Sequence, residues 1–327
     1  MSSDNEVKVL SVDEYPLWDD LVMKSPQGSI FHTSKWMISC ADLLSKKVVI
    51  YGYFSRGVLE GGCSLYEDRK FLFFPIATST TVMSPYGGFI FKPFESSKVR
   101  KNELFYNSII SSLIKEISSS YIYVSLTGSP AISDVRPFIQ AGWKGTVYYT
   151  YHFDLDEDIK NRISRNVRQT IQKAEKHGII VEKKFDPDVY WILHEKTYIK
   201  QGISSPVSRD FLYRMINYIQ KADCGEMWIA STSDGLPIAA EIIIWDSNIS
   251  HRWAAASDGE FSNLGATSLL LYLIFIEMFN KGFKKINLMA GNTPHLTKFI
   301  SSFNPNLLPY YSVENFHWII PAIGKIY

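Results

Sequence analysis

Cysteine is scarce: Cys40, Cys63 and Cys224 lie far apart in the 327 residues, without paired metal-ligand spacing or the even count of a disulfide scaffold. That usage fits a reducing, cytoplasmic setting, and no metal is expected. Long apolar runs are also lacking. Residues 268–279 form the longest, about a dozen positions that include Glu277, against the ~20 needed to cross a bilayer, so no membrane insertion is expected. The first ten residues are polar and partly acidic, without the basic start and apolar centre of a secretory signal. Charge of one sign is missing too: 34 Lys+Arg against 33 Asp+Glu leave +1, no global field for nucleic acid, and specific DNA binding is not expected.

Several chemical signatures are absent. No Walker segment and no Gly-x-Gly-x-x-Gly appear, and His194-Glu195 lacks the second histidine of a zinc helix. No Gly-x-Ser-x-Gly nucleophile turn occurs, so a direct group transfer suits this inventory better than a covalent enzyme intermediate.

What is present is a globular composition, 46% hydrophobic and 20% charged, with 20 Phe, 19 Tyr and 8 Trp. The length predicts two domains, divided here as 1–155 and 156–327. In the first, short helices near 17–23 and 33–44 precede strand-like runs at 47–54, 59–66 and 70–75, then a helix over 102–118 and strands at 121–126 and 146–153. In the second, Ile159, Ile163, Val167, Ile171 and Ala174 recur every three or four residues, predicting one helix closed by Gly178. Two more helices, three strands at 226–231, 237–245 and 250–256, a helix over 265–281, a strand, a helix and a closing strand at 309–316 complete the pattern. This is a layered α/β (α+β) unit, not a βα barrel.

The segment from His251 to Thr267 is the most informative, since a strand turns there into a helix started by Gly265. The first amides of a helix lack internal partners and favour an anion, and glycine allows close approach, which selects Leu264, Gly265, Ala266 and Thr267. Ala254, Ala255 and Ala256 either leave room for an extended ligand or serve tight packing. Between Lys160 and Lys184, eight Lys/Arg face only Glu175 and Glu182, a local excess of +6. That face reads as solvated, as a site for a small phosphate ligand, or as an RNA surface, with Arg165 and Arg168 as the natural phosphate forks. Glu241, a carboxylate in an apolar strand, is a candidate base or a partner for Arg252. Asp258, just after a strand, either orients an amine or caps a turn. Lys298, beside Phe299 and Phe303, is a solvated lysine or a group for oxyanion charge. Tyr86, Trp253 and Tyr310 either stack on a sugar or belong to an aromatic core.

Taken together, 25–36 (Ser-Pro-Gln-Gly-Ser-Ile-Phe-His-Thr-Ser-Lys-Trp), 84–88 (Ser-Pro-Tyr-Gly-Gly), 141–143 (Ala-Gly-Trp), 161–178, 251–267 and 298–303 (Lys-Phe-Ile-Ser-Ser-Phe) resemble, in order and spacing, the FemAB-like branch of the GNAT acyltransferase superfamily, including its BioF2-like acetyltransferase domain. The resemblance runs from about residue 12 to 316 and implies tandem GNAT-like acyltransferase domains. It implies an N-acyltransferase with acyl-CoA as co-substrate and a small polar amine acceptor such as an amino sugar or amino acid. The alternatives it carries are a Fem-type transferase using aminoacyl-tRNA and a non-catalytic ligand-binding descendant. It implies catalytic roles for Lys298, Glu241 and Asp258, donor contacts from Leu264 to Thr267 with Arg165 and Arg168, and acceptor contacts at Lys35, Trp36, Tyr86, Trp253 and Tyr310. The sequence departs from the family where Thr297 stands before Lys298 in place of Phe, and where Asn304-Pro305 follows Phe303 in place of Gly. It also carries no long helical arm, which favours a thioester donor.

Overall fold

The computed structural model describes residues 5–68 and 75–316. The described residues divide into two compact units, one made of those up to Tyr148 together with Pro309–Phe316, the other of Tyr149–Leu308. The first unit thus ends before the expected division at 155, and the closing strand, expected in the second unit, joins the first.

In the first unit, β1 (Asn5–Val9), α1 (Tyr15–Lys24) and α2 (Ser34–Leu43) lead into the hairpin β2 (Lys46–Ser55) and β3 (Val58–Asp68). The strand expected at 70–75 falls almost wholly outside the described residues. β4 (Ile76–Thr78), β5 (Gly88–Phe91), α3 (Val99–Ser120), β6 (Tyr123–Thr127) and α4 (Arg136–Gln140) follow. The sheet runs β1-β2-β3-β4-β6, with β5 on β3. Alternation splits its apolar residues between two layers. Tyr51, Tyr53, Cys63 and Leu65 meet Ile109, Leu113 and Ile117 of α3, while Ile50, Phe54 and Ile90 meet Trp18, Leu21 and Val22 of α1.

β7 (Lys144–Asp154) carries the chain into the second unit, where α5 (Ile159–Arg162), α6 (Arg165–Lys176), β8 (Ile180–Lys183), α7 (Pro187–Gln201) and α8 (Arg209–Lys221) precede the strands β9 (Gly225–Ser231), β10 (Pro237–Trp245) and β11 (Ser250–Ser257). Then come α9 (Ala266–Asn280), β12 (Lys285–Met289), α10 (Pro294–Ser301) and β13 (Asn306–Phe316), whose residues from Ser312 pair with β6 of the first unit. The second unit's sheet runs β7-β12-β11-β10-β9-β8. The predicted stripe is buried at all five positions, together with α9 and Phe153, which stacks on Phe275 at 4.3 Å.

The single basic helix expected over that stripe is in fact two. Ile163 and Ser164 are extended, and the Ser164 hydroxyl accepts from the Val167 amide at 3.3 Å to start α6. Arg168 Nη1 donates to the carbonyls of Asn161 and Ile163 at 3.2 and 2.6 Å, satisfying oxygens that the break releases.

A polar row crosses this sheet. His152 and His251 both lie opposite Asn287, whose Oδ1 accepts from Thr150 Oγ1 at 2.7 Å, and Asp246 is 3.5 Å from His251. Burial, reinforced by the charges of His251 and Lys285, pushes His152 down from 6.5 to about 4. An unfolded chain therefore takes up a proton near pH 6.5 that the folded chain refuses until about pH 4. The contribution is complete above pH 6.5 and fades as pH falls to 4; by that gap it is about 3 kcal/mol. Urea midpoints at pH 7 and pH 4.5 should converge in His152→Gln relative to wild type; an equal acid slope in both proteins would refute the assignment.

Candidate active site

β11 and β12 run parallel but pair only at Ser250↔Ile286 and His251↔Asn287. Past that point they part, because Met289 and Ala290 adopt φ of 56° and 58° and the chain turns off toward α10. Along β11 beyond that point lies a cavity of about 380 Å³ that begins at Arg252, follows Ala255 to Asp258 and reaches the start of α9. Phe299 and Leu296 of α10 form part of its wall, with Thr170 of α6 and Thr197 of α7.

A bulge decides what the cavity contains. β10 faces β11 through Glu241↔Ala255 and Ile242↔Ala254, then jumps to Ile243↔Arg252, leaving Trp253 as the extra residue. Glu241 and Ile243 share a face of β10, so Arg252 and Ala255 share a face of β11 although three positions apart. Arg252 thereby meets Glu241: Nε donates to Oε2 at 2.5 Å and Nη2 to Oε1 at 2.6 Å, with Glu241 1% and Arg252 9% exposed. This bidentate pair engages both Glu241 oxygens, so Glu241 anchors the guanidinium in place. The guanidinium carbon lies 6.0 Å from the Phe299 ring centre, so the cation also faces an aromatic wall.

At the other end, Gly265 sits at φ 80° and starts α9. A Cβ there would meet the Thr170 carbonyl oxygen at 2.6 Å and its Cγ2 at 2.8 Å. The glycine is therefore demanded by its backbone turn and by packing on α6, which the sequence could not distinguish from ligand approach. Its neighbours Ala266 and Thr267 still present helix-start amides to the cavity. Asp258, 5% exposed, accepts from Lys196 Nζ at 2.5 Å and from the Glu260 amide at 3.0 Å. Thr197 anchors the end of β11, accepting from the Ser257 amide at 2.9 Å.

The structure brings together Asp258, Gly265, Ala266 and Thr267 of the expected residues, and sets Glu241 behind Arg252. Leu264 and Lys298 are not among the cavity's lining, and Lys298 is exposed on α10. Arg165 is exposed and Arg168 is engaged with carbonyls; neither lines the cavity. Lys35 is exposed, but Trp36 is fully buried and donates to Ser84 Oγ at 2.9 Å. Tyr86 is buried edge-on between Phe31 and Tyr310, and Tyr310 stacks on Tyr148. Trp253 is buried at the bulge. The sequence missed Thr170, Lys196, Thr197 and Leu296, which arrive from three helices and carry no local signal; Arg252 was visible only as a partner for Glu241.

Of the basic excess between Lys160 and Lys184, Arg162 is paired with Asp154 and Asp156, Lys183 with Glu226 and Glu277, and Lys184 with Asp186. Arg165, Lys173 and Lys176 stay exposed, with no ion pair among the described residues, opposite the buried Val167, Ile171 and Ala174. They form a basic stripe about 16 Å long. Among the described residues no group of three or more His, Cys, Asp or Glu could hold a metal ion, and no helix is long and apolar enough to cross a membrane.

Residues 161–295 match a family model described as an acetyltransferase (GNAT) domain. No curated protein sequence matches the chain. Among solved structures, FemX is similar with a TM-score of 0.71 at 12% identity, covering 94% of this chain and 96% of its own. The C-terminal domain of a putative lysylphosphatidylglycerol synthetase from Agrobacterium fabrum gives 0.58 at 12% identity, with 92% of each chain covered. A tandem GNAT protein from the clavulanic acid biosynthesis pathway gives 0.56 at 10% identity, covering 95% of this chain and 98% of its own. The chain has a tandem GNAT-like fold, and an acyltransferase-type enzyme domain occupies its second unit.

Proposed function

We propose that this chain is a cytoplasmic N-acyltransferase that moves an acyl group from a phosphate-bearing carrier directly onto the amine of a small polar acceptor, such as an amino sugar or amino acid. The observation that carries this reading is the cavity along β11 past its last pair with β12, which joins the amide-rich start of α9 to the buried guanidinium of Arg252. A carrier phosphate would rest on the amides of Ala266 and Thr267, where the helix end favours an anion. The stretch of carrier between that phosphate and the acyl group would lie along Ala255 and Ala256, whose small side chains leave the channel open. The acceptor nitrogen forms the C–N bond as the bond to the carrier breaks, and the proton it loses ends on the carrier's leaving atom. Asp258, held by Lys196 and the Glu260 amide, closes the carrier end beside α9, and holding both reactants supplies much of the rate gain.

The basic stripe on α6 favours aminoacyl-tRNA over acyl-CoA as the carrier. Thr170 of the same helix lines the cavity, and a stripe of this length suits several successive phosphates rather than one pyrophosphate. Arg165→Ala/Lys173→Ala/Lys176→Ala should flatten the plot of log affinity for alanyl-tRNA against log salt by about three units, one per phosphate contact, and leave acetyl-CoA binding unchanged. Alanyl-tRNA binding that ignores the triple substitution, beside acetyl-CoA binding in wild type, would move the assignment to acyl-CoA.

A further inference from the structure

We infer that Arg252 is the group that grips the donor's carbonyl oxygen and stabilises its negative charge during transfer, the part first assigned to Lys298. Three observations converge on it. Arg252 is the first residue of β11 past the last pair with β12, so it stands at the vertex of the cavity, the farthest point along β11 from the start of α9. The span from Arg252 to Ser257 is about 16 Å of strand, room for the stretch of carrier between a phosphate at α9 and the acyl carbonyl at Arg252. Second, Glu241 takes Nε and Nη2, which fixes the plane of the guanidinium and leaves Nη1 without a hydrogen-bond partner among the described residues. Third, the pair is close to neutral as a whole. Its remaining donors therefore suit an uncharged carbonyl in the ground state better than a carboxylate, and gain strength as the oxygen becomes an anion.

The assignment rests on the acyl-transfer reading. In the step, the acceptor nitrogen's lone pair forms the C–N bond while the carbonyl π pair moves onto oxygen, held by Nη1–H. Collapse of that pair expels the carrier's sulfur or ribose oxygen, which leaves with the proton lost by the amine. Lys298, exposed and outside the cavity lining, has no place in it.

Removing Arg252 alone risks the fold, so the test uses Glu241→Leu/Arg252→Met, which replaces the whole buried pair with apolar side chains of similar bulk, a change that is often neutral for stability. Thermal unfolding confirms that this variant is folded. Binding is then measured with acetyl-CoA against S-ethyl-CoA, which lacks the carbonyl, and with alanyl-tRNA against uncharged tRNA. Wild type should prefer the carbonyl-bearing form of the carrier it binds, and the double variant should lose that preference while keeping affinity for the bare carrier. Turnover should fall by about 100- to 1,000-fold, while donor KM rises only by the factor of the lost carbonyl preference. Arg252→Lys, which keeps a charge but not the fork, should recover only a small part of the rate. A folded double variant that keeps both the carbonyl preference and the rate overturns the role of Arg252. A wild type that binds neither acylated carrier overturns the acyl-transfer reading, and this assignment with it.

Discussion

Glu241→Ala should lower the unfolding free energy by about 3–5 kcal/mol. The cause lies less in the lost ion pair than in what stays behind. Arg252 is 9% exposed and cannot shed its proton, so without Glu241 a guanidinium is left in a low-dielectric wall with two donors unmet. The paired replacement Glu241→Leu/Arg252→Met removes both charges and should restore most of that loss. Urea denaturation of the two variants side by side separates the explanations. A cost below about 1 kcal/mol for Glu241→Ala would show that Arg252 swings into the water of the cavity when released.

Gly265→Val should cost about 2–5 kcal/mol for two independent reasons. The backbone at φ 80° is left-handed, which charges a residue with a Cβ about 1–2 kcal/mol and a β-branched one more. The new Cβ would also lie 2.6 Å from the Thr170 carbonyl oxygen, so α6 and the start of α9 must separate, an overpacking strain of about 1–3 kcal/mol. Thermal unfolding measures the sum. If Gly265→Ala proves neutral, the contact with α6 is softer than the geometry indicates and the glycine is kept for a ligand after all.

These two positions show where the sequence was legible. Gly265 stood out because a left-handed cap leaves a local mark, and the helix and strand it joins follow from periodicity within a dozen residues. Its physical reason was out of reach, since Thr170 lies on another helix and no spacing connects them. Glu241 and Arg252 were visible as a candidate pair because they lie on two consecutive predicted strands, although the register sets Glu241 opposite Ala255 and Arg252 opposite Ile243. The bulge at Trp253 that turns Arg252 onto the face of Ala255 has no sequence signature of its own. Lys298 shows the opposite limit: a lysine beside phenylalanines fits a motif, while its direction depends on how α10 is rotated, and here it is exposed outside the cavity lining. The break at Ile163 and Ser164 escaped for a similar reason, as the apolar stripe continues through it at helical spacing and both halves are buried. Trp36 and Tyr86 read equally well as stacking surfaces or core, and tertiary packing alone made them core.

The return of the chain to its first unit sets an order on how the protein can be made. Residues 309–316 belong with those up to Tyr148, and β13 pairs with β6 from Ser312↔Thr127 to Phe316↔Tyr123. A nascent chain therefore finishes the second unit, which is continuous in sequence, before the first has its last strand. Throughout that interval β6 offers an unpaired edge to any neighbouring chain, a hazard that grows with crowding on a polysome. The part of the molecule synthesised first is thus the part completed last.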